Sequence, residues 1–145
     1  EIYAYDHAGN VAKVSVNGTL GTIEVPENLP LAEGLKDDFY SVVENNVTRT
    51  VLTRTDDAVF SSNQCLDSQL WHFVRNDDGT FTIHNAADEN QVLDIHLAQD
   101  SVDANVQVHT ANGSLAQRWY IHNYNGLYYL RPACSAKPHC RTSIA

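Results

Sequence analysis

Seven histidines stand among the 145 residues, and four of them, His84, His96, His109 and His122, recur at intervals of 12 or 13. Imidazoles bind zinc and move protons near neutral pH, so regular histidines invite a metal site or an acid–base pair. The spacing argues against both. Zinc ligands come in close pairs, typically about two to five residues apart, and no two of these histidines are that near. A pitch of a dozen residues is instead that of short strands joined by turns, with one histidine near the end of each. Asp100-Ser101-Val102-Asp103 reads as a loop without the ligand density of a calcium site. Cys65, Cys134 and Cys140 form no zinc pattern; Cys134 and Cys140 flank Pro138 closely enough for a local disulfide, with free or loosely structural thiols as the other reading. No Ser/His/Asp order, no paired carboxylates with a reason to differ in pKa and no phosphate loop is found. The sequence is read as non-enzymatic, with no metal and no cofactor.

The elements that would position any site announce themselves by repetition. Ser68-Gln69-Leu70-Trp71-His72-Phe73 and Ala116-Gln117-Arg118-Trp119-Tyr120-Ile121 share Gln-x-Trp and lie 48 residues apart. At the same offset Asp57–Ser62 lies over Asn105–Thr110. Upstream the offset falls to 41, where Tyr40–Asn45 matches Phe81–Ala86 and Val51-Leu52-Thr53 matches Val92-Leu93-Asp94. The first copy therefore lacks a stretch around Ala98 to Ala104, in a polar loop where indels cost little closure entropy. A third copy starts at Gly126-Leu127-Tyr128-Tyr129-Leu130, entered like Gly79–Ile83 through a hairpin turn (Asp78-Gly79, Asn125-Gly126), and ends with the chain. Within the complete copy, Thr80–His84, Val92–His96, Val106–Thr110 and Gln117–His122 read as strands, and no window carries a convincing helical period. A repeat of this length implies supersecondary units that share one core, and the fold class is all-β.

Four strands per unit closed by Gln-x-Trp resembles the ricin B-type lectin repeat, three of which make a β-trefoil. The pieces that carry the resemblance are Val92-Leu93-Asp94-Ile95, Ala104-Asn105-Val106-Gln107-Val108-His109, Ala111-Asn112-Gly113 and Gln117-Arg118-Trp119. It implies a trefoil-like domain over 37–145, with repeats at about 37–76, 77–124 and a partial 125–145. It also implies that Trp71, Trp119, Gln69 and Gln117 serve as core and scaffold. In that family a carboxylate accepts hydroxyl hydrogen bonds, an aromatic ring meets the flat C–H face of the sugar, and amides supply the rest. The resemblance puts carbohydrate contacts at Asp94, Gln107, His109, Asn112 and Gln117, with His109 where the family usually has Trp or Tyr and Ala116 where it often has Asn. Thr53, Val59 and Ser61 replace the Asp, Gln and aromatic in the first copy, so no sugar site is expected there. Asp94, Gln107 and Gln117 also have a plain structural reading, the first as a turn cap.

Composition bounds the partners. A 43% hydrophobic chain of this length can bury one modest core. Its net charge of −9 opposes nucleic acid, acidic membrane surfaces and sulphated sugars, leaving neutral glycans of the galactose type that the resemblance favours. No apolar run approaches the ~20 residues of a membrane span, so no membrane insertion is expected. Asn17, Asn46 and Asn112 open triplets that fit glycosylation sequons, which arise often by chance. Residues 1–21 read as a β-hairpin, Ile2–Tyr5 and Val11–Val16 about the turn Asp6-His7-Ala8-Gly9-Asn10, which resembles the last hairpin of bacterial immunoglobulin-like modules. Such a hairpin is marginal alone and is expected to cover a face left open by the short third repeat. Residues 22–36, with Pro26 and Pro30, read as a linker. With no Met and Glu1 first, the chain is expected to be a piece of a larger secreted or cell-surface bacterial protein, its other domains being partners, with adhesion as a role.

Overall fold

The computed structural model describes residues 2–5, 11–16, 19–21, 30–45, 48–98, 105–124 and 126–134. Strands β1 (Ile2–Tyr5), β2 (Val11–Val16) and β3 (Thr19–Gly21) form an antiparallel sheet in that order. The first two make the hairpin expected at the N-terminus; its turn, residues 6–10, lies outside the described residues, and β3 adds a strand that the sequence reading did not include.

The other nine strands follow the unit plan. The first unit holds β4 (Asp38–Ser41), β5 (Val51–Arg54), β6 (Ala58–Ser61) and β7 (Trp71–Arg75). The second holds β8 (Phe81–Asn85), β9 (Asp88–Ile95), β10 (Val106–Thr110) and β11 (Trp119–Tyr124), and β12 (Leu127–Pro132) follows. All pairings are antiparallel: β4 with β7, β7 with β8, β8 with β9, β9 with β10, β11 with β12 in full register, β11 with β8 through Trp119 and Phe81, and β5 with β6 as a separate ribbon. Tight turns set these registers, as at Gly79 (φ +85°), a conformation that costs a glycine nothing.

Alternation decides which side chains go inside. Trp71 and Phe73 on β7, Phe81 and Ile83 on β8, and Trp119 and Ile121 on β11 all point into one core with Val43, Leu52, Leu93, Ile95, Tyr129 and Leu130. Phe39 stacks on Phe73 at 4.8 Å and meets Phe81 edge-on at 5.8 Å. Residues 30–36, read from sequence as the end of a linker, run along this body. Ala32 donates to the Ile121 carbonyl at 2.8 Å and Asn123 to that of Pro30 at 3.0 Å, while Ala32 and Leu35 pack on the core. Arg75 fastens the same stretch by donating to Asp37 at 2.7 Å and to the Leu35 carbonyl at 3.0 Å.

Apart from shifts of one or two residues at the ends of β8, β9 and β11, the strands differ from the sequence reading at two places. β9 begins at Asp88, four residues early, because the polar run Asp88–Gln91 continues the ladder on the exposed side. Gln117 is not the start of a strand: it closes a short 3-10 turn, Leu115–Gln117, and the strand opens at Trp119. On the outer face His72 of β7 lies between the Asp38 carboxylate of β4 and that of Glu89 of β9, the latter at 3.0 Å, with the Tyr40 ring stacked on it at 4.3 Å. Burial works against the charge on His72, but the hydrogen bonds and negative charges of Glu89 and Asp38 outweigh it and hold the imidazole above its usual range. No helix among the described residues is long and apolar enough to cross a membrane.

Candidate functional site

Both Gln-x-Trp segments make the same bonds, and these bonds shape what lies above them. The Trp71 indole donates to the Leu52 carbonyl at 3.0 Å, and that of Trp119 to the Leu93 carbonyl at 3.0 Å. Each tryptophan thus fills the core with its ring and pins the residue just before Thr53 or Asp94. Gln69 accepts from the Gln64 amide at 2.8 Å and donates to the Ser62 carbonyl at 2.8 Å. Gln117 accepts from the Asn112 amide at 2.8 Å and donates to the Thr110 carbonyl at 3.0 Å. Buried glutamines of this kind satisfy backbone groups that a tight loop would otherwise strand.

The second unit opens a cleft of about 380 Å³, lined among others by Asp94, His96, Leu97, Gln107, His109 and Asn112. Asp94 on β9 and Gln107 on β10 are direct cross-strand partners, and Gln107 Nε2 donates to Asp94 Oδ1 at 3.0 Å. Asp94 is only 6% exposed, so its carboxylate is presented from the floor of the cleft. One wall is the turn His96–Ala98, where Leu97 (φ 55°) and Ala98 (φ 51°) take left-handed backbone that non-glycine residues rarely adopt. The other wall is His109 with Asn112, Ser114 and Ala116. There Asn112 Oδ1 accepts from the Ser114 amide at 2.9 Å, and Gly113 (φ +73°) makes the bend.

Four of the five residues proposed from sequence, Asp94, Gln107, His109 and Asn112, line this one cleft. Gln117 does not reach it. The side chain is fully buried and both its polar atoms hold the 110–112 backbone, so it shapes the wall from behind. His96, Leu97 and Ser114 were not foreseen. His96 had a signal, since it follows Asp94 by two residues and strand neighbours at that spacing share a face. Its Nδ1 lies 3.1 Å from Gln107 Oε1. Leu97 had none, because no glycine flags its left-handed turn. Asp100 and Asp103 lie outside the described residues, and so does Cys140; Cys65 is exposed and unpaired. Among the described residues no three His, Cys, Asp or Glu side chains group as metal ligands.

At the corresponding place in the first unit, Thr53 and Ser61 hydroxyls lie 2.7 Å apart, and Gln69 Nε2 donates to both, at 3.1 and 3.3 Å. Thr53 faces Val59 across the ribbon where the second unit has Asp94 and Gln107. Its polar groups are turned on one another.

Two units of four strands around a shared core, with a polar cleft beside the buried Asp94 in the second, make a β-trefoil-like domain. The chain belongs to the family of ricin-type β-trefoil lectin domain-like proteins, whose model matches residues 67–140, half its length. Among solved structures it is similar to a designed threefold symmetric protein, ThreeFoil (TM-score 0.61, 20% identity, covering 72% of this chain and 86% of that one). It is also similar to a mosquitocidal holotoxin (TM-score 0.60, 17% identity, 76% and 16%) and to an exo-β-1,3-galactanase from Clostridium thermocellum (TM-score 0.57, 20% identity, 86% and 25%). The chain thus spans a sixth of the toxin and a quarter of the galactanase. These likenesses show the fold. No curated protein matches the chain in sequence.

Proposed function

We propose that the chain is a non-catalytic carbohydrate-binding module that takes one neutral, galactose-type sugar in the cleft at Asp94 and so attaches a larger extracellular protein to glycans. The observation that carries this reading is the convergence of Asp94, Gln107, His109 and Asn112 on one open cleft. Asp94 would accept two sugar hydroxyls, the Gln107 and Asn112 amides would add polar contacts, and His109 would meet a C–H face of the ring. Gln117 contributes by holding the wall. An imidazole offers less stacking area than an indole, and Ala116 offers no hydrogen bond, so the site is weak: one lost bond costs about 0.5–1.5 kcal/mol, up to roughly tenfold in affinity.

Galactose-type ligands are favoured by the family and by the galactan-acting neighbour, and glycosidic hydrolysis would need a second carboxylate in the cleft. Among the described lining residues Asp94 is the one acid. Residues 1–21 serve in this reading as the end of an immunoglobulin-like module and 22–36 as a linker whose last residues, 30–36, pack on the domain, which suits a secreted or wall-attached bacterial parent used in adhesion. The parent could equally be a glycan-active hydrolase that carries this module as an accessory. A spacer with decayed sugar sites is the second reading, and the self-satisfied hydroxyls of Thr53 and Ser61 favour it for the first unit. Titration of wild type and Asp94→Ala with galactosides decides. Millimolar binding to the wild type, weakened about tenfold or more in the folded variant, is expected. Absence of binding to any sugar at millimolar concentration would sink the proposal.

A further inference from the structure

The wall of the cleft from His109 to Ser114 is held by hydrogen bonds on both sides of Gly113. His109 Nδ1 donates to the Thr110 carbonyl at 3.1 Å, and the Ala111 N–H to that of Asn90 at 2.8 Å. The Asn112 N–H donates to Gln117 Oε1 at 2.8 Å, and the Ser114 N–H to Asn112 Oδ1 at 2.9 Å. The Gly113 N–H, between them, has no acceptor among the described residues. Asn112 and Gly113 are both exposed. The peptide nitrogen that follows an asparagine lies within ring-closing reach of its Cγ, and a glycine has no side chain to obstruct the approach. The first unit shows the same turn in a guarded form. Asn63 Oδ1 accepts from the Cys65 N–H at 2.9 Å, but the nitrogen after Asn63 is that of Gln64, and its N–H is committed to Gln69 Oε1 at 2.8 Å. The two turns are out of step by one residue. The buried glutamine therefore holds the would-be nucleophile in the first unit and the asparagine itself in the second.

We propose that Asn112–Gly113 is a self-modification site that converts part of the cleft wall from an amide to a carboxylate. The Gly113 nitrogen bonds to Asn112 Cγ, the Cγ–Nδ2 bond breaks, and ammonia leaves carrying the proton of the Gly113 N–H. Negative charge that builds on Oδ1 during the attack meets the Ser114 N–H already placed on that atom, as in an oxyanion hole. Water then opens the imide at Cγ, giving aspartate, or at the Asn112 carbonyl carbon, giving isoaspartate. Water is the one co-reactant. Both products remove the side-chain amide that lines the cleft, and isoaspartate also lengthens the backbone there. On the reading of the cleft as a sugar site, a modified molecule has lost a donor and gained an anion, so it holds a neutral sugar less tightly.

The test incubates the full chain at mildly alkaline pH in water enriched in heavy oxygen, folded in one arm and unfolded in guanidinium chloride in the other. Tryptic mapping by mass spectrometry follows each asparagine, and a solvent oxygen in the product dates the change to the incubation. Asn17 and Asn125, which also precede glycine, fall in separate peptides. Each site is scored as its folded rate over its unfolded rate, which cancels the chemical effect of the following residue. The Asn112 ratio is expected to be about one or higher and to exceed the Asn63 ratio at least about tenfold, the factor that a hydrogen bond held on the nucleophile costs. Ser114→Pro takes the N–H from Oδ1 while its φ of −68° suits proline, and is expected to slow Asn112 several-fold and leave Asn63 unchanged. An Asn112 ratio no higher than that of Asn63 overturns the proposal, as does a folded Ser114→Pro variant that reacts as fast as wild type. Anion exchange separates the modified molecules, whose galactoside affinity is expected to be about tenfold lower. Equal affinity overturns the effect on the cleft. If the fresh chain binds no galactoside, the sugar-site reading falls, while the modification stands or falls on the rate ratios.

Discussion

Replacing Gln117 by alanine tests whether the cleft depends on a side chain that never enters it. Gln117 is fully buried, and the change strands the Asn112 amide and the Thr110 carbonyl that it pairs at 2.8 and 3.0 Å. An unpaired buried group costs about 1–3 kcal/mol, but Thr110 and Asn112 are exposed residues that water can reach, so about 1 kcal/mol each is the appropriate figure. The vacated volume, in a site with no access to solvent, adds about 1 kcal/mol more. The sum, about 3 kcal/mol, corresponds to a melting temperature lower by about 10 °C for a domain of this size. Sugar affinity should fall as well, even where the variant is fully folded, because the 110–112 backbone carries one wall of the cleft. Gln69→Ala is the matched control: it strands the Gln64 amide and the Ser62 carbonyl in the first unit, where Thr53 and Ser61 already turn inward. It should lose comparable stability and keep sugar binding. Calorimetric melting together with galactoside titration at low temperature reads both quantities. A Gln117→Ala variant that melts within about 1 °C of wild type would refute the reasoning, as would a folded Gln69→Ala variant that loses sugar binding equally.

The clamp on His72 makes stability depend on pH. Because the folded protein holds this imidazole above its ordinary value, the clamp's contribution is fully present below about pH 6.5 and is lost as pH rises through the raised folded value. The difference in urea unfolding free energy between wild type and His72→Gln should therefore shrink from mildly acid to mildly alkaline pH; a difference that grows would contradict the clamp. Trp119→Phe removes the donor to the Leu93 carbonyl and part of the core volume, and is expected to cost about 2–4 kcal/mol in the same assay. It should also weaken sugar binding, since Leu93 precedes Asp94, whereas Trp71→Phe should lower stability alone.

The all-β, trefoil-like fold was legible in the chain because its signals are local. Alternation in Trp71–Arg75 and Phe81–Asn85, turn residues such as Asp78-Gly79, and the twin Gln-x-Trp segments each need only a short window to be recognised. Strand β10, Val106–Thr110, falls where the pattern put it. The early start of β9 was not legible, because Asp88-Glu89-Asn90-Gln91 has no apolar alternation and is held in the ladder by its neighbours. Nor was the turn at Leu115–Gln117, where a buried amide bonding backwards overrides a strand-like pattern.

Residue types in the cleft were given by the sequence; their arrangement was not. Asp94 and Gln107 lie 13 residues apart and meet only because β9 and β10 pair in one register, which a shift of a single residue would destroy. His96 became part of the cleft through the left-handed turn at Leu97, a backbone state that no residue there advertises. Gln117 left it, because burial beneath the loop uses both its polar atoms. The regular histidines show the division most plainly. Their pitch reports strand spacing, a property of the chain alone. That His96 and His109 face one cleft, each with Nδ1 committed, follows from hydrogen bonds made across strands and turns, and only the folded structure has those.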